Sequence, residues 1–230
     1  MIANHDSSVL YIVLNTEELR EWITKMKKLG ILGGMGPEST IVYYKEIATR
    51  FQQQEEHGYF PEFTIEAVNM YEMLEYCLQG NYEKWVRYLS KAVKNLEASH
   101  VDFIVLASNT PHVVFEQLQE KSSVPILSIV EPTYNAVSKQ GIEKIAWLGT
   151  GFTMEQPYFK KMFQENGIEV VVPSQEERQK IDHIIANELE FGIVKEQSKQ
   201  SIDAIIQRLV DEEKIQGVIL GCTELPLMFK

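Results

Sequence analysis

The sequence has little of what marks a disulfide-rich, metal-binding or nucleic-acid-binding protein. Its two cysteines, Cys77 and Cys222, are too few for a disulfide framework or for the usual zinc ligand sets. The 22 Lys and Arg residues stand against 33 Asp and Glu residues, a formal charge of -11, and the basic residues do not cluster into a basic face. These absences argue against a nucleic-acid partner and an acidic membrane surface, and we expect no bound metal.

Long apolar runs and flexible linkers are also absent. The N-terminal segment MIANHDSSVLYIVLN carries no cationic region. Its apolar run of about six residues is too short for a signal peptide or a membrane span. We therefore expect a cytoplasmic location and no membrane partner. No stretch rich in Gly, Ser or Pro interrupts the chain, and 230 residues suffice for one large domain or two small ones.

Short β-branched runs alternate with helix-length segments along the whole chain. The eight runs are Val9–Leu14, Leu29–Leu32, Phe63–Val68, Phe103–Ala107, Ile126–Val130, Lys144–Leu148, Glu169–Val172 and Val218–Gly221. Parallel strands need connections of helix length, so this alternation predicts an α/β fold with parallel sheets covered by helices on both faces.

Three segments of the first half recur in the second half in the same order. The pairs, at offsets of 116, 116 and 114 residues, are Leu10–Asn15 with Ile126–Glu131, Gly30–Gly34 with Ala146–Thr150, and Ile104–Asn109 with Val218–Thr223. This repeat predicts two pseudosymmetric three-layer α/β domains, 9–120 and 121–230, each with a mainly parallel four-stranded sheet. Ligands bind beyond the carboxyl ends of parallel strands, so we expect the active site in the cleft between the domains.

Two turns at matched positions of the repeat carry side chains suited to proton transfer. One is Ser108–His112 (SNTPH) and the other is Cys222–Pro226 (CTELP). A thiol serves as acid or base near neutral pH when a helix N-terminus or neighbouring donors lower its pKa. A serine hydroxyl returns a proton readily but needs an acceptor to remove one, and Asp102, His112 and Glu224 are the candidates. Taken alone, either turn could equally be a strand-to-helix turn whose hydroxyls cap the next helix.

The segment Gly33–Thr40 (GGMGPEST) is glycine-rich, follows a predicted strand and precedes a predicted helix. It lacks the GxGxxG spacing and the Lys-Ser/Thr pair of nucleotide-binding loops, which excludes both kinds of nucleotide site. Its backbone N–H groups at a helix N-terminus are suited to bind a carboxylate. The alternative is a tight turn that merely requires glycine.

Four motifs give the chain a family resemblance. They are LGILGGMGPESTIVYY at Leu29–Tyr44, VLASNTPH at Val105–His112, GTGFTMEQPYF at Gly149–Phe159 and VILGCTELPL at Val218–Leu227. Over nearly its whole length the chain resembles the aspartate/glutamate racemase superfamily. The resemblance implies a pyridoxal-free, two-base mechanism with no cofactor, acting on a small acidic amino acid, aspartate or glutamate. It also implies a two-domain pseudosymmetric α/β fold and a homodimer.

The resemblance also implies the site residues. Cys222 matches one of the two acid/base residues, and Ser108 stands where most relatives carry the other cysteine. A hydroxyl residue at that position is typical of a broad-specificity branch that acts on both aspartate and glutamate. The positions that match substrate-binding residues are Met35, Cys77, Asn109, Thr110, Thr223 and Glu224. Of these, Glu224 is suited to bind the substrate ammonium.

The chain ends depart from the family pattern. Family members continue past the Cys-Thr-Glu motif into a further strand and helix, whereas this sequence stops at Lys230. Residues 8–28 of this chain resemble that strand and the start of that helix. We therefore expect a circular permutation, in which residues 8–28 complete the sheet of the first domain beside Leu29–Leu32.

Racemisation of aspartate and/or glutamate by an isomerase is the leading functional hypothesis. Removal of the weakly acidic α-proton requires stabilisation of the resulting carbanion, and the two polar turns supply donors for the α-carboxylate. Two alternatives remain open. One is a catalytically silent protein that binds an acidic amino acid. The other is a single-cysteine decarboxylase of the arylmalonate decarboxylase type, with Cys222 protonating one face of an enediolate.

Overall fold

A computed structural model of the chain describes residues 2–4, 10–12, 27–54 and 60–229. In these ranges the strands are β1 (Ile2–Asn4), β2 (Leu10–Ile12), β3 (Leu29–Gly33), β4 (Phe63–Ala67), β5 (Phe103–Leu106), β6 (Ile126–Leu127), β7 (Lys144–Leu148), β8 (Glu169–Val171) and β9 (Gly217–Leu220). The α-helices are α1 (Pro37–Gln54), α2 (Met70–Leu78), α3 (Tyr82–Ala98), α4 (Phe115–Lys121), α5 (Val130–Ser138), α6 (Gly151–Glu155), α7 (Pro157–Glu165), α8 (Gln175–Asn187) and α9 (Glu196–Arg208). Short 3₁₀-helices lie at Thr110–Val114, Leu189–Phe191 and Leu225–Phe229, and a π-helical turn lies at Leu209–Glu213. Among the helices of these ranges, none is long and apolar enough to cross a bilayer.

The chain divides into two compact units. The first unit is Glu17–Ser128, and the second unit combines Met1–Thr16 with Ile129–Lys230. Each of the eight predicted strand segments overlaps an observed strand, and both sheets are built mainly of parallel strands. The predicted α/β fold with parallel sheets is therefore confirmed. The division between the units lies at residues 128 and 129, whereas the repeat placed it at 120 and 121.

The first unit contains a four-stranded parallel sheet in the order β4-β3-β5-β6. The central strands β3 and β5 are buried at every position, as expected when helices cover both faces of a sheet. The amphipathic helix α3 buries one face, which includes Trp85, Leu89 and Leu96. Its N-cap residue Asn81 accepts a hydrogen bond from the backbone N–H of Lys84. This buried frame fixes the carboxyl ends of β3 and β5.

The second unit contains a five-stranded sheet in the order β1-β2-β9-β7-β8, one strand more than the four predicted, because β1 adds to the edge at β2. All neighbours are parallel except β1, which pairs antiparallel with β2. The order β8-β7-β9-β2 reproduces the order β4-β3-β5-β6 of the first unit, so each strand of the first sheet has a counterpart in the second. The main-chain hydrogen bond from Ala107 N–H to Leu32 O likewise has its counterpart from Gly221 N–H to Leu148 O. These features confirm the internal repeat.

The prediction that residues 8–28 extend the first sheet beside Leu29–Leu32 is wrong. Strand β2 pairs in parallel with β9 of the second unit, with Leu10 opposite Gly217. In the second sheet β2 takes the place that β6 takes in the first sheet. The sequence similarity of these two strands therefore identified equivalent places, whereas chain order suggested the wrong sheet. The helix predicted after β2 lies outside the described residues.

Candidate active site

The glycine-rich turn of the first unit connects β3 to α1. Gly34 has φ of +80°, and a Cβ at this position would lie 2.5 Å from the Val68 carbonyl oxygen, so the turn requires glycine here. The Gly34 N–H donates to Thr40 Oγ1 at 2.9 Å. One donor of the expected carboxylate anchor is therefore already engaged. Met35, the predicted substrate-binding residue of this turn, is buried.

The second turn of this unit follows β5 and carries Ser108. Ser108 is buried, while Asn109 and Thr110 are partly exposed where the 3₁₀-helix Thr110–Val114 begins. The buried Ser39 hydroxyl reaches two carbonyl oxygens, Gly36 O at 2.8 Å and Ala107 O at 2.7 Å. This hydroxyl joins the glycine-rich turn to the turn that carries Ser108. The structure thus brings these two predicted site segments together within the first unit.

His112 contacts the main chain of Ser108. Its Nδ1 lies 3.0 Å from the Ser108 carbonyl oxygen, and a carbonyl only accepts, so Nδ1 carries the proton. The ring is buried and stacks on Phe115 with an interplanar angle of 4°. Burial lowers the pKa of His112 from 6.5 to about 4, although hydrogen bonds to the Ser108 and Asn109 backbone act in the opposite direction. His112 is therefore a neutral donor to Ser108.

The other proposed proton acceptors for Ser108 are also placed by the structure. Asp102 precedes β5 and accepts a hydrogen bond from the backbone N–H of Lys28 at 2.6 Å. It lies at the amino end of the strand, whereas Ser108 lies beyond the carboxyl end. The prediction that Asp102 could assist Ser108 is therefore wrong. Glu224 belongs to the second unit.

Cys77 lies in the last turn of α2 and is buried. Burial raises the pKa of this thiol to about 11. Cys77 is therefore neutral near pH 7 and behaves as a small apolar residue. Its contact with a substrate stays a prediction.

The turn after β9 carries the second thiol. Cys222 Sγ–H donates to Glu224 Oε2 at 2.9 Å, and the Thr223 hydroxyl donates to the same oxygen at 2.8 Å. Cys222 and Glu224 are both buried. Burial raises the pKa of Cys222 well above its usual value, and the Glu224 carboxylate raises it further. The expectation that a helix N-terminus lowers the Cys222 pKa is therefore wrong. The side chain is a protonated thiol, which can donate a proton.

A further carboxylate, that of Glu190, lies near this thiol in the second unit, and Asp182 lies near Glu190. Asp182 Oδ1 accepts the backbone N–H of Gly151 at 2.8 Å. Burial raises the pKa of Glu190, and the charges of Glu224 and Asp182 raise it further. A cation bound here, such as an ammonium group, would be stabilised by these charges. Within residues 27–54 and 60–229, no group of three His, Cys, Asp or Glu side chains is arranged to hold a metal ion.

Gly221 allows the Cys222 turn to pack on the indole of Trp147. A Cβ at residue 221 would overlap the Trp147 ring, which also packs on Phe159. At the matched positions of the first unit stand Ala107 and Ile31, both buried in one apolar cluster. The second unit thus pairs the larger Trp147 with glycine, whereas the first unit pairs the smaller Ile31 with alanine. Sequence analysis missed this exchange, although the repeat alignment contains it.

Both turns fall within a segment that matches a known family model. The model described as Asp/Glu/Hydantoin racemase matches residues 32–230. This chain belongs to that family. Membership confirms the resemblance found in the sequence, and it accounts for the repeated α/β fold.

Relatives within this racemase family match the chain over most of its length. A broad specificity amino-acid racemase of Bacillus subtilis (strain 168) is 31% identical over 207 residues, which cover 86% of this chain and 85% of the relative. The solved structure of an aspartate racemase homologue from Pyrococcus horikoshii OT3 is 39% identical with a TM-score of 0.76, covering 89% and 88% of the two chains. An aspartate racemase of Picrophilus torridus has the same fold, with a TM-score of 0.71, 21% identity and coverage of 89% and 84%.

The individual roles in this racemase-family site stay predictions. They comprise the acid/base roles of Ser108 and Cys222 and the binding roles of Met35, Cys77, Asn109, Thr110, Thr223 and Glu224. The homodimer and the cytoplasmic location stay predictions as well. The two hydrogen-bond contacts of the Ser39 hydroxyl were missed by sequence analysis, because nothing in the GPEST segment (Gly36–Thr40) indicates which carbonyl oxygens this side chain reaches.

Proposed function

We propose that this chain is a cofactor-independent racemase that interconverts the L and D forms of aspartate or glutamate, with Cys222 and Ser108 as the acid/base residues. The observation that carries the proposal is the Cys222 thiol donating to Glu224 at 2.9 Å, at the position of the repeat that Ser108 holds in the first unit. Membership of a racemase family supports the reaction type.

The proposed reaction moves one proton off the α-carbon and another onto it. One residue removes the α-proton, and the electron pair of the broken C–H bond spreads into the α-carboxylate. The other residue then gives a proton to the opposite face, and a new C–H bond forms with inverted configuration. Backbone and hydroxyl donors of the two turns stabilise the charge that develops on the carboxylate. In this proposal Met35, Cys77, Asn109 and Thr110 contribute to substrate binding.

Glu224 makes Cys222 the better equipped of the two bases. To remove a proton, Cys222 must first lose its own, and Glu224 Oε2 already accepts a hydrogen bond from the thiol. The carboxylate by itself raises the thiol pKa, which favours the protonated form. A substrate ammonium bound by Glu224 and Thr223 would offset that charge and lower the thiol pKa. Binding of the substrate would therefore prepare the thiol for proton removal.

Ser108 is better suited to donate a proton than to remove one. In the first unit His112 directs its Nδ1–H to the Ser108 carbonyl, not its acceptor nitrogen to the Ser108 hydroxyl, and Asp102 lies at the other end of β5. Proton removal from the side of Cys222 is therefore expected to be faster than removal from the side of Ser108. The two directions of racemisation would then differ in kcat and in KM by the same factor, because enantiomers have equal free energies and kcat/KM must be equal in both directions.

A chiral assay in deuterated water tests the proposal. Each enantiomer of aspartate and glutamate is incubated with the enzyme, and inversion and α-deuterium incorporation are followed together. Because one relative is a broad specificity amino-acid racemase, neutral and basic amino acids complete the panel. We expect both inversion and deuterium incorporation, and their loss in Cys222→Ala.

Three other outcomes would contradict the proposal. A protein that exchanges no α-proton of any amino acid tested is not a racemase of this kind. Tight binding of an acidic amino acid without exchange would indicate the silent binding protein. Release of carbon dioxide from an arylmalonate, with no exchange at aspartate or glutamate, would indicate the decarboxylase.

A further inference from the structure

The main chain around Ser108 is held by two buried side chains, one from α1 and one from the same turn. The carbonyl before Ser108, that of Ala107, accepts a hydrogen bond from Ser39 Oγ at 2.7 Å. The carbonyl of Ser108 itself accepts one from His112 Nδ1 at 3.0 Å. The donors are 1% and 3% exposed, so water does not compete freely for either bond.

These two bonds define the direction of the Ser108 side chain. The peptide plane before a residue and the plane after it set its φ and ψ angles, and these angles fix the direction of the Cα–Cβ bond. Ser39 restrains the plane that precedes Ser108, and His112 restrains the plane that follows it. We infer that Ser39 and His112 are positioning residues that aim the Ser108 hydroxyl at the reacting carbon. This inference rests on the proposed function.

His112 is a rigid restraint. Its ring is fixed by burial and by parallel stacking on Phe115, with ring centroids 5.7 Å apart. A group held in this way loses little further freedom when its hydrogen bond forms, so it defines the position of its partner better than a long exposed side chain would. The side chain also lies four residues after Ser108, one helical turn away.

Ser39 adds a second restraint and couples two turns. Its hydroxyl has one proton and reaches both Gly36 O and Ala107 O, at 2.8 and 2.7 Å. Ser39 lies in the first turn of α1, an 18-residue helix, so this contact ties the Ser108 turn to a long regular element. Proton transfer is sensitive to misplacement of about 1 Å, which can reduce a rate about 100-fold. Loss of either restraint is thus expected to reduce proton transfer at Ser108.

The test separates inversion from exchange. Ser39→Ala and His112→Leu are expected to reduce inversion about 10- to 100-fold. The enantiomer whose α-proton faces Cys222 should still exchange that proton for deuterium with retention, because Cys222 is untouched. The ratio of exchange to inversion therefore rises in both variants. His112→Asn should restore inversion, because its amide N–H can occupy the place of Nδ1 and donate to the same carbonyl.

Matched control variants of the first unit keep both turns intact. The Ser122 hydroxyl also reaches two acceptors, Glu97 Oε1 at 3.1 Å and Val124 O at 2.8 Å, but it lies before β6, at the amino end of the sheet. Ser122→Ala therefore removes a comparable hydroxyl without touching Ser108. His100 is exposed, so His100→Asn is the control for the imidazole change. In both control variants the ratio of deuterium exchange to inversion should equal that of the unmodified protein.

The outcomes distinguish this inference from the proposed function. If the unmodified protein neither inverts nor exchanges, the proposed function fails and this inference fails with it. If it is active but Ser39→Ala and His112→Leu lower exchange and inversion by the same factor, the two residues are merely structural and only this inference is overturned. The same holds if His112→Asn is no better than His112→Leu. Should His112→Leu not fold, Ser39→Ala and His112→Asn decide the question.

Discussion

The turns after β5 and β9 share an equivalent main-chain hydrogen bond but carry side chains with different proton-transfer properties. In each, a backbone N–H one residue before the proposed acid/base residue donates to the neighbouring central strand, from Ala107 to Leu32 and from Gly221 to Leu148. The main chain of the first turn is held by two neutral donors, Ser39 of α1 and His112 of the turn itself. In the second, the side chains bond to one another and include a carboxylate. The repeated fold therefore supplies two equivalent positions, and local side chains alone decide what each can do with a proton.

Removal of the thiol is the change with the largest expected effect on this comparison. In Cys222→Ala we expect inversion of both enantiomers to fall by about 10²- to 10⁴-fold, the usual contribution of a positioned acid or base. Exchange with retention should be lost as well. Ser108→Ala should also stop inversion, but it should leave exchange on the Cys222 side.

The control for these two variants is Cys222→Ser, which keeps a donor for Glu224 but exchanges the thiol for a weaker acid. It should fold with an unchanged unfolding midpoint and remain inactive. Equal loss of exchange in the Cys222 and Ser108 variants would remove the functional difference between the turns.

Acid should weaken the first turn through His112. Its pKa is about 4 in the folded chain against 6.5 ordinarily, so between these values the unfolded chain binds more protons than the folded one. The stability due to the neutral ring is full above pH 6.5 and is lost as the pH falls towards 4, on the order of 3 kcal/mol in total. Urea unfolding of the unmodified protein at pH 7 and 4.5 should show this loss, and His112→Asn should show less of it. If His100→Asn reduces the pH dependence of the unfolding free energy as much as His112→Asn does, the assignment of this dependence to His112 is contradicted.

Adding a methyl group at residue 221 should lower the unfolding free energy more than removing one at residue 107. In Gly221→Ala the new Cβ overlaps the Trp147 ring, and such overpacking costs about 1–3 kcal/mol of unfolding free energy. The reverse change at the matched position, Ala107→Gly, mainly adds backbone freedom and should cost about 1 kcal/mol or less. Denaturant unfolding measures both.

The double variant Gly221→Ala/Trp147→Ile recreates the pair found in the first unit and serves as the internal control. It should be less destabilised than the sum of the two single variants, because the smaller side chain makes room for the new Cβ. Strict additivity would show that the indole does not oppose a Cβ at residue 221.

These cases show which features the sequence determines by itself. The strands and the repeat could be predicted, because buried parallel strands leave continuous apolar runs. The sheet that β2 joins could not, because this depends on pairing with β9, more than 200 residues away in the chain. Likewise Cys222 stands out in the sequence, but the rise of its pKa follows from burial and from the Glu224 carboxylate, whose Oε2 lies 2.9 Å from the thiol sulfur. Sequence patterns report local structure, whereas these two features depend on contacts.

The smallest expected effect is a change in the thiol pKa when the Glu224 charge is removed. The carboxylate raises the pKa of Cys222 in addition to burial, so in Glu224→Gln this pKa should fall while the contribution of burial remains. Glu190→Gln should lower it less, since Glu190 is the weakest of the charges that raise it. The ultraviolet absorbance of the thiolate, followed against pH, reports the change.

Two groups of the same chain calibrate that titration. Cys77, with a pKa of about 11, is the internal reference, and the exposed Glu176→Gln is the control for loss of a charge. An unchanged or higher Cys222 pKa in Glu224→Gln would show that the carboxylate does not act on the thiol. A lower pKa combined with slower inversion would show more. It would mean that Glu224 is needed to take the thiol proton or to bind the ammonium, because a more acidic thiol alone should remove an α-proton more readily.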